Sequence, residues 1–189
     1  MKKSMKKSVL LATAMLLPAS LVIGEEPQSL HEVMDPPRGY VWKPVSGTGV
    51  HRFSTAVIHS QENTATGMIQ RSTDIVELEG DLDGRVLYHP VSVFDFASGT
   101  LINTGQQVFS GTVLGSEPVL IRDEEFRFEV NLATGQTVGE IYLEHRIAGP
   151  RIRCRLQVDG NGTMTPEGDA VVEYQGLCRM RSELPTEAP

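Results

Sequence analysis

The side chains best able to bind or transform a small molecule are one histidine and two tyrosines. His145 falls on the same alternate positions as Ile141 and Leu143, so a strand here would bury an imidazole among apolar side chains. Such an imidazole can orient a ligand or transfer a proton near neutral pH. It can equally be a core residue bonded to a backbone carbonyl. Tyr174 and Tyr88 are the nearest groups predicted to share a ligand site with it.

Motifs for catalysis or metal binding are missing from the sequence. It has no Gly-rich phosphate loop, no His-Glu-x-x-His, no Gly-x-Ser-x-Gly and no complete calcium loop. Glu77, Glu79, Asp81 and Asp83 alternate along the chain, and calcium favours such oxygen ligands. Same-face neighbours on a strand lie about 6.8 Å apart, however, so we interpret this stripe as a solvated outer face. We predict no metal, no cofactor and no catalytic residue.

The two cysteines, Cys154 and Cys178, are predicted to form a disulfide. Both lie on the more apolar face of a predicted strand. If these strands form a hairpin through Thr165–Gly168, with Met164 paired to Gly168, antiparallel counting places the cysteines directly opposite each other. A pair of buried free thiols is the alternative. Neither cysteine has a close Cys or His partner in the sequence, which argues against a metal site.

The elements that position these groups are strands, because apolar residues recur with period two. The clearest runs are Glu125–Leu132, Val138–Ile147, Arg151–Asp159 and Ala170–Met180. The first half predicts Tyr40–Val45, Val50–His59, Thr64–Gln70, Asp74–Glu79, Arg85–Phe96, Gln107–Leu114 and Pro118–Arg122. The turn signals are Asp83-Gly84 for a tight hairpin, together with Ala97–Gly99, Asn103–Gly105 and Ala148–Pro150.

Many short strands at roughly ten-residue spacing are typical of an all-β fold. We predict a small antiparallel β-barrel with one disulfide, and a β-sandwich is the alternative. In a barrel the apolar faces meet inside. The predicted interior residues are Phe126, Phe128, Val130, Ile141, Leu143, His145, Ile152, Leu156, Val172 and Tyr174.

The N-terminus has the layout of a secretory signal peptide. Four lysines precede an apolar run, Val9–Ile23, that is shorter than the about 20 residues of a membrane span. Val22 and Gly24 stand at the −3 and −1 positions of a cleavage site. The predicted organisation is a signal peptide at 1–24, a linker at 25–39, the barrel at 40–181 and a flexible tail at 182–189. We expect a secreted or periplasmic protein without a transmembrane segment after cleavage.

The charge of the exported chain argues against nucleic acid as a partner. Cleavage removes four of the 17 basic residues and none of the 24 acidic ones, which leaves 13 against 24 and a net charge of −11. Phosphate binding needs a basic face.

Two stretches resemble a group of known barrels. They are Val108-Phe-Ser-Gly-Thr-Val-Leu-Gly115 and the closing Gly-Asp-Ala-Val-Val-Glu-Tyr-Gln-Gly-Leu-Cys178. Together with the paired strands between them, they resemble uncharacterised secreted bacterial β-barrels similar to allene oxide cyclase and dirigent-type barrels, within the wider lipocalin-like group. The resemblance covers residues 50–180 and implies a barrel that binds or steers apolar small molecules. No catalytic residue of the plant enzymes carries over by position.

Three functions remain open at this point. The first is an exported non-enzymatic barrel that binds an apolar or amphipathic small molecule in its interior. The second is a structural or adhesive module of the cell envelope. The third is a cyclase or isomerase of the allene oxide cyclase-like type. The sequence does not predict an oligomeric state.

Export provides the first test. When the full chain is expressed in a bacterium with intact secretion, the exported protein should begin at or near Glu25. N-terminal sequencing measures this directly, and a cytoplasmic pool that keeps Met1 would contradict it.

Overall fold

The computed structural model describes residues 36–182, and every regular element in this range is a β-strand. The strands are β1 Tyr40–Asn63, β2 Gly67–Gly80, β3 Leu82–Asp95, β4 Thr100–Val113, β5 Val119–Asp123, β6 Arg127–Asn131, β7 Gln136–Leu143, β8 His145–Ala148, β9 Arg153–Asn161 and β10 Ala170–Arg181. Within this range there is no helix with the length and apolar character of a membrane span. The predicted signal peptide and most of the predicted linker and tail lie outside the described residues.

The strands close into an antiparallel barrel with eight positions. β5 and β6 both pair with β4, one after the other along its length, and together they act as one strand of the barrel. β7 pairs with β6 and β8 pairs with β5, so β7 and β8 together act as the next strand. Each position pairs with the next in chain order, and β1 pairs with β10 to close the ring. This up-and-down arrangement confirms the predicted barrel and excludes the sandwich.

A buried aspartate holds the break between β5 and β6. Asp123 is fully buried, and its carboxylate accepts hydrogen bonds from the backbone N–H of Glu125 at 2.8 Å and of Tyr142 at 2.9 Å. The side-chain amide of Gln107 donates a third at 2.9 Å. Because an interrupted strand leaves backbone donors without ladder partners, a buried acceptor here stabilises the break.

Two predicted turns and two predicted breaks between strands are strand interior instead. Tyr40–Val45 and Val50–His59 belong to one strand, as do Asp74–Glu79 and the Gly67–Gln70 part of the predicted Thr64–Gln70. Asp83-Gly84 was predicted as a hairpin turn, but it lies inside β3, and the turn is at Asp81.

The reason is close approach of two strands. Gly84 pairs with Gly111 of β4, and a Cβ atom at Gly84 would lie 2.6 Å from the Gly111 Cα. This glycine is therefore required by strand packing and not by a turn. The Asn103–Gly105 signal is wrong in the same way, because these residues lie within β4.

The predicted disulfide is confirmed. Cys154 on β9 faces Cys178 on β10, both side chains are fully buried, and the two sulfur atoms are bonded. The hairpin end differs from the prediction, since Met164 pairs with Ala170 and not with Gly168. The Thr165 N–H donates a hydrogen bond to the Asp169 carbonyl at 2.8 Å, which closes the turn one pair inside Met164 and Ala170.

Removing the disulfide should destabilise the fold. The cysteines are 24 residues apart, and closing a loop of this size is worth about 3 kcal/mol in the chain-entropy model. We expect the Cys154→Ala, Cys178→Ala double variant to lose free energy of unfolding of this order in a urea titration. The wild-type protein treated with reductant is the control and should lose a similar amount. Equal stability of oxidised and reduced protein would contradict the prediction.

Candidate functional site

The barrel interior contains a cavity of about 340 Å³. It lies toward the end of the barrel where the β6–β7 and β9–β10 loops meet it, since Gly135, Gly162 and Met164 contribute to its wall. Phe53 and Met164 line the cavity while remaining about half exposed, at 47% and 50%, and so mark its opening. Its apolar wall includes Val76, Val86, Phe128, Ile141, Val158 and Val172.

The cavity exists because the two ends of the barrel are filled differently. The far end is packed with large, fully buried side chains, among them Leu82, Phe109, Val113, Ile121, Phe126 and Leu143. Toward the opening the inward positions carry small residues, such as Ser72, Ser92 and Ala170. An eight-stranded barrel is just wide enough for large side chains to fill it. Small side chains at the open end therefore leave space.

Three polar side chains from β1 and β2 face one another in this cavity. Asp74 is buried, and one of its oxygens, Oδ2, accepts a hydrogen bond from the Ser72 hydroxyl at 2.9 Å. The His51 Nε2 lies 3.7 Å from the same oxygen. That nitrogen is buried and has no hydrogen-bond partner within residues 36–182. A carboxylate and an imidazole are therefore both available to a ligand in the cavity.

Tyr88 completes this cluster from β3. It pairs with Asp74 in the sheet register and packs edge-on against the His51 ring, with centroids 5.4 Å apart. Burial, and then the Asp74 charge, raise the pKa of Tyr88 well above its ordinary value, so the hydroxyl keeps its proton. In the described part of the chain this hydroxyl makes no hydrogen bond. It can donate or accept toward a ligand.

His145 does not belong to this site, and its predicted interior position is wrong. It lies on β8, where all four residues are exposed. The chain leaves the strand pattern at Glu144, between β7 and β8. Beyond the break, His145 pairs with the exposed Arg122 of β5, and Ile147 is also exposed, at 52%. Period two holds only while a strand is continuous.

Tyr174 lines the cavity as predicted, but its hydroxyl already has partners. It accepts a hydrogen bond from the Leu82 N–H at 2.8 Å and lies within donating distance of the Leu82 carbonyl, at 3.2 Å, and the Glu79 carbonyl, at 3.3 Å. A Cβ atom at Gly47 would overlap this hydroxyl. The group therefore ties β10 to the β2–β3 turn.

The sequence did contain a signal for the missed residues. Asp74 is two and four residues from Val76 and Leu78, so alternation alone places it inside. His51 follows Gly49 by two positions on β1, on the same inward face. Neither was predicted as a site residue, because a polar group is expected on the outer face and the pairing of β1 with β2 was not predicted.

The two interior tyrosines should respond differently to loss of the hydroxyl. Tyr174→Phe leaves the buried Leu82 N–H without its acceptor, which costs about 1–3 kcal/mol of stability. Tyr88→Phe removes no hydrogen bond among the described residues and leaves no buried donor unsatisfied, so it should cost less stability than Tyr174→Phe. Urea titrations of both variants measure this. Equal losses would show that the Tyr88 hydroxyl is also structural.

Comparison with protein-family models, with curated proteins and with solved structures gives no match for this chain. The resemblance to allene oxide cyclase and dirigent-type barrels therefore stays a prediction. What the structure does establish is an all-β, disulfide-linked, closed antiparallel barrel.

Proposed function

We propose that this protein is an exported barrel that binds an apolar or amphipathic small molecule in its interior. One observation carries the proposal, namely the cavity of about 340 Å³ inside this eight-stranded barrel. Small-molecule pockets in proteins are about 300–1,000 Å³, mostly apolar, with a few polar groups that fix orientation. The wall of this cavity has that composition.

The depth of the polar cluster supports an amphipathic ligand. His51, Asp74 and Tyr88 lie inward of the opening at Phe53 and Met164, so a ligand would enter with its polar end first. Its apolar part would then contact Val172, Phe128 and the opening itself. Tyr174 contributes wall area, because its hydroxyl is already bonded.

Secretion or a periplasmic location is part of the proposal. The signal-peptide pattern of residues 1–24 supports it, and the buried disulfide is consistent with an oxidising compartment. The proposed resemblance to barrels that hold apolar molecules points to the same function. A structural envelope module, by contrast, would gain nothing from leaving its interior unfilled.

A cyclase or isomerase is the second candidate, and one contact favours it. The His51 Nε2 lies 3.7 Å from the Asp74 carboxylate inside an apolar cavity. An imidazole and a carboxylate in such surroundings can act as acid and base on a bound substrate. Recovery of a chemically altered ligand after incubation would distinguish this candidate from simple binding.

A ring placed inside the cavity should abolish binding, whereas the same ring outside should not. Ser92 is buried and lines the cavity, and the next residue on β3, Val93, is exposed at 41%. The neutral probe N-phenylnaphthylamine should fluoresce with the wild-type protein. We expect Ser92→Phe to reduce this signal at least tenfold and the matched control Val93→Phe to leave it unchanged.

Native mass spectrometry gives a second measurement of the same proposal. Protein purified gently should carry extra mass that organic extraction removes. Equal probe binding by Ser92→Phe and wild type would place the probe elsewhere. No binding by the wild type would overturn the proposed function.

A further inference from the structure

The cavity contains a carboxylate that the fold leaves partly without donors. Three aspartates are buried in the described chain: Asp74, Asp123 and Asp169. Asp123 accepts three hydrogen bonds. Asp169 pairs with the Arg52 guanidinium at 3.0 Å and accepts from the Phe53 N–H at 2.9 Å.

Asp74 differs from both. Among the described residues it accepts one hydrogen bond, from the Ser72 hydroxyl to Oδ2. The His51 Nε2 at 3.7 Å is too far for a second. Its Oδ1 accepts none from residues 36–182. The Asp74 Oδ1 is not one of the fully enclosed oxygens, so it is reached from the cavity, where a ligand donor can bond it.

The charged residues that line the cavity also favour a ligand that brings a donor or a positive charge. No lysine or arginine is among the described residues that line it, whereas Asp74 lines it. The Asn103 Oδ1 is a buried acceptor with no hydrogen-bond partner among residues 36–182. An anionic head group such as a carboxylate would meet the like charge of Asp74 at this position. A cationic head group would meet a charge of opposite sign.

Aromatic rings lie beside Tyr88, the cross-strand neighbour of Asp74. The rings of His51 and Phe128, which line the cavity with Tyr88, have centroids 5.4 Å and 6.0 Å from that of Tyr88. Cations are attracted to aromatic faces. Rings and carboxylate together form a suitable environment for an ammonium group.

We propose that the cavity selects an amphipathic amine, whose ammonium group binds at Asp74 beside Tyr88 and whose apolar tail points to the opening. This inference rests on the proposed function and specifies its ligand class. The ammonium donates to the Asp74 Oδ1, and the Tyr88 hydroxyl accepts a second of its hydrogen bonds. Charge-assisted hydrogen bonds of this kind are roughly twice as strong as neutral ones.

The test compares three ligands that share one tail: decylamine, decanol and decanoate. Displacement of N-phenylnaphthylamine from the purified protein is measured at about pH 8, where an ordinary imidazole is neutral and an alkylamine is charged. We expect decylamine to bind about tenfold more tightly than decanol, and decanoate more weakly than either.

The nearly isosteric variant Asp74→Asn isolates the charge. It should lose the advantage of decylamine over decanol and keep the affinity for decanol, which also shows that the barrel is folded. Because Ser92→Phe is expected not to bind the probe, direct calorimetric titration replaces displacement for this variant. It should bind none of the three ligands, which controls for adsorption of the amine to the acidic surface.

The outcomes separate the two proposals. If the probe and decanol bind but decylamine gains nothing, or if Asp74→Asn keeps the gain, the amine inference is wrong and the proposed function stands. If decanoate binds most tightly, the cavity takes an anion and the inference is likewise wrong. If neither the probe nor any of the three binds, both proposals fail.

Discussion

Closure of the sheet by β1 and β10 is the constraint on which the rest of this structure depends. The two strands pair from Tyr40 with Arg181 to His51 with Ala170, so the first and last strands leave no open edge along this stretch. Closure separates an inside from an outside and gives every alternate residue a fixed side. The buried disulfide between β9 and β10 holds the strand that completes the ring. Without closure, the cavity onto which the cluster around Asp74 faces would not be enclosed.

The two ends of the enclosed space have different physical roles. The end packed by Phe109, Phe126 and Leu82 supplies apolar burial, with these side chains almost or fully inaccessible. The open end gives up part of that stabilisation, because Ser72 and Ser92 occupy inward positions that larger apolar residues could fill. Stability is thus concentrated at one end, and the other is left available for a ligand.

Much of the fold could be predicted from the sequence, because alternation is a local property. The late strands, the barrel class and the Cys154–Cys178 pair followed from period two and a hairpin count. The hairpin turn predicted at Asp83-Gly84 was wrong, because a glycine needed for close approach of β3 and β4 looks the same in sequence as one in a turn. The interior position predicted for His145 was wrong, because the strand breaks at Glu144 and all four residues of the following strand are exposed. The cluster of His51 and Asp74 depends on pairing between strands, which no local pattern contains.

The three buried aspartates of the described chain differ in how many hydrogen-bond donors surround them. Asp123 and Asp169 are surrounded by donors, so each contributes to the fold by bonding backbone or arginine groups. Asp74 has one hydroxyl donor and an imidazole beyond hydrogen-bond distance. An apolar residue of similar volume would avoid the cost of burying a charge, and such replacements are often neutral or stabilising. A carboxylate at this position is therefore explained poorly by stability. The proposed ammonium donor would account for it.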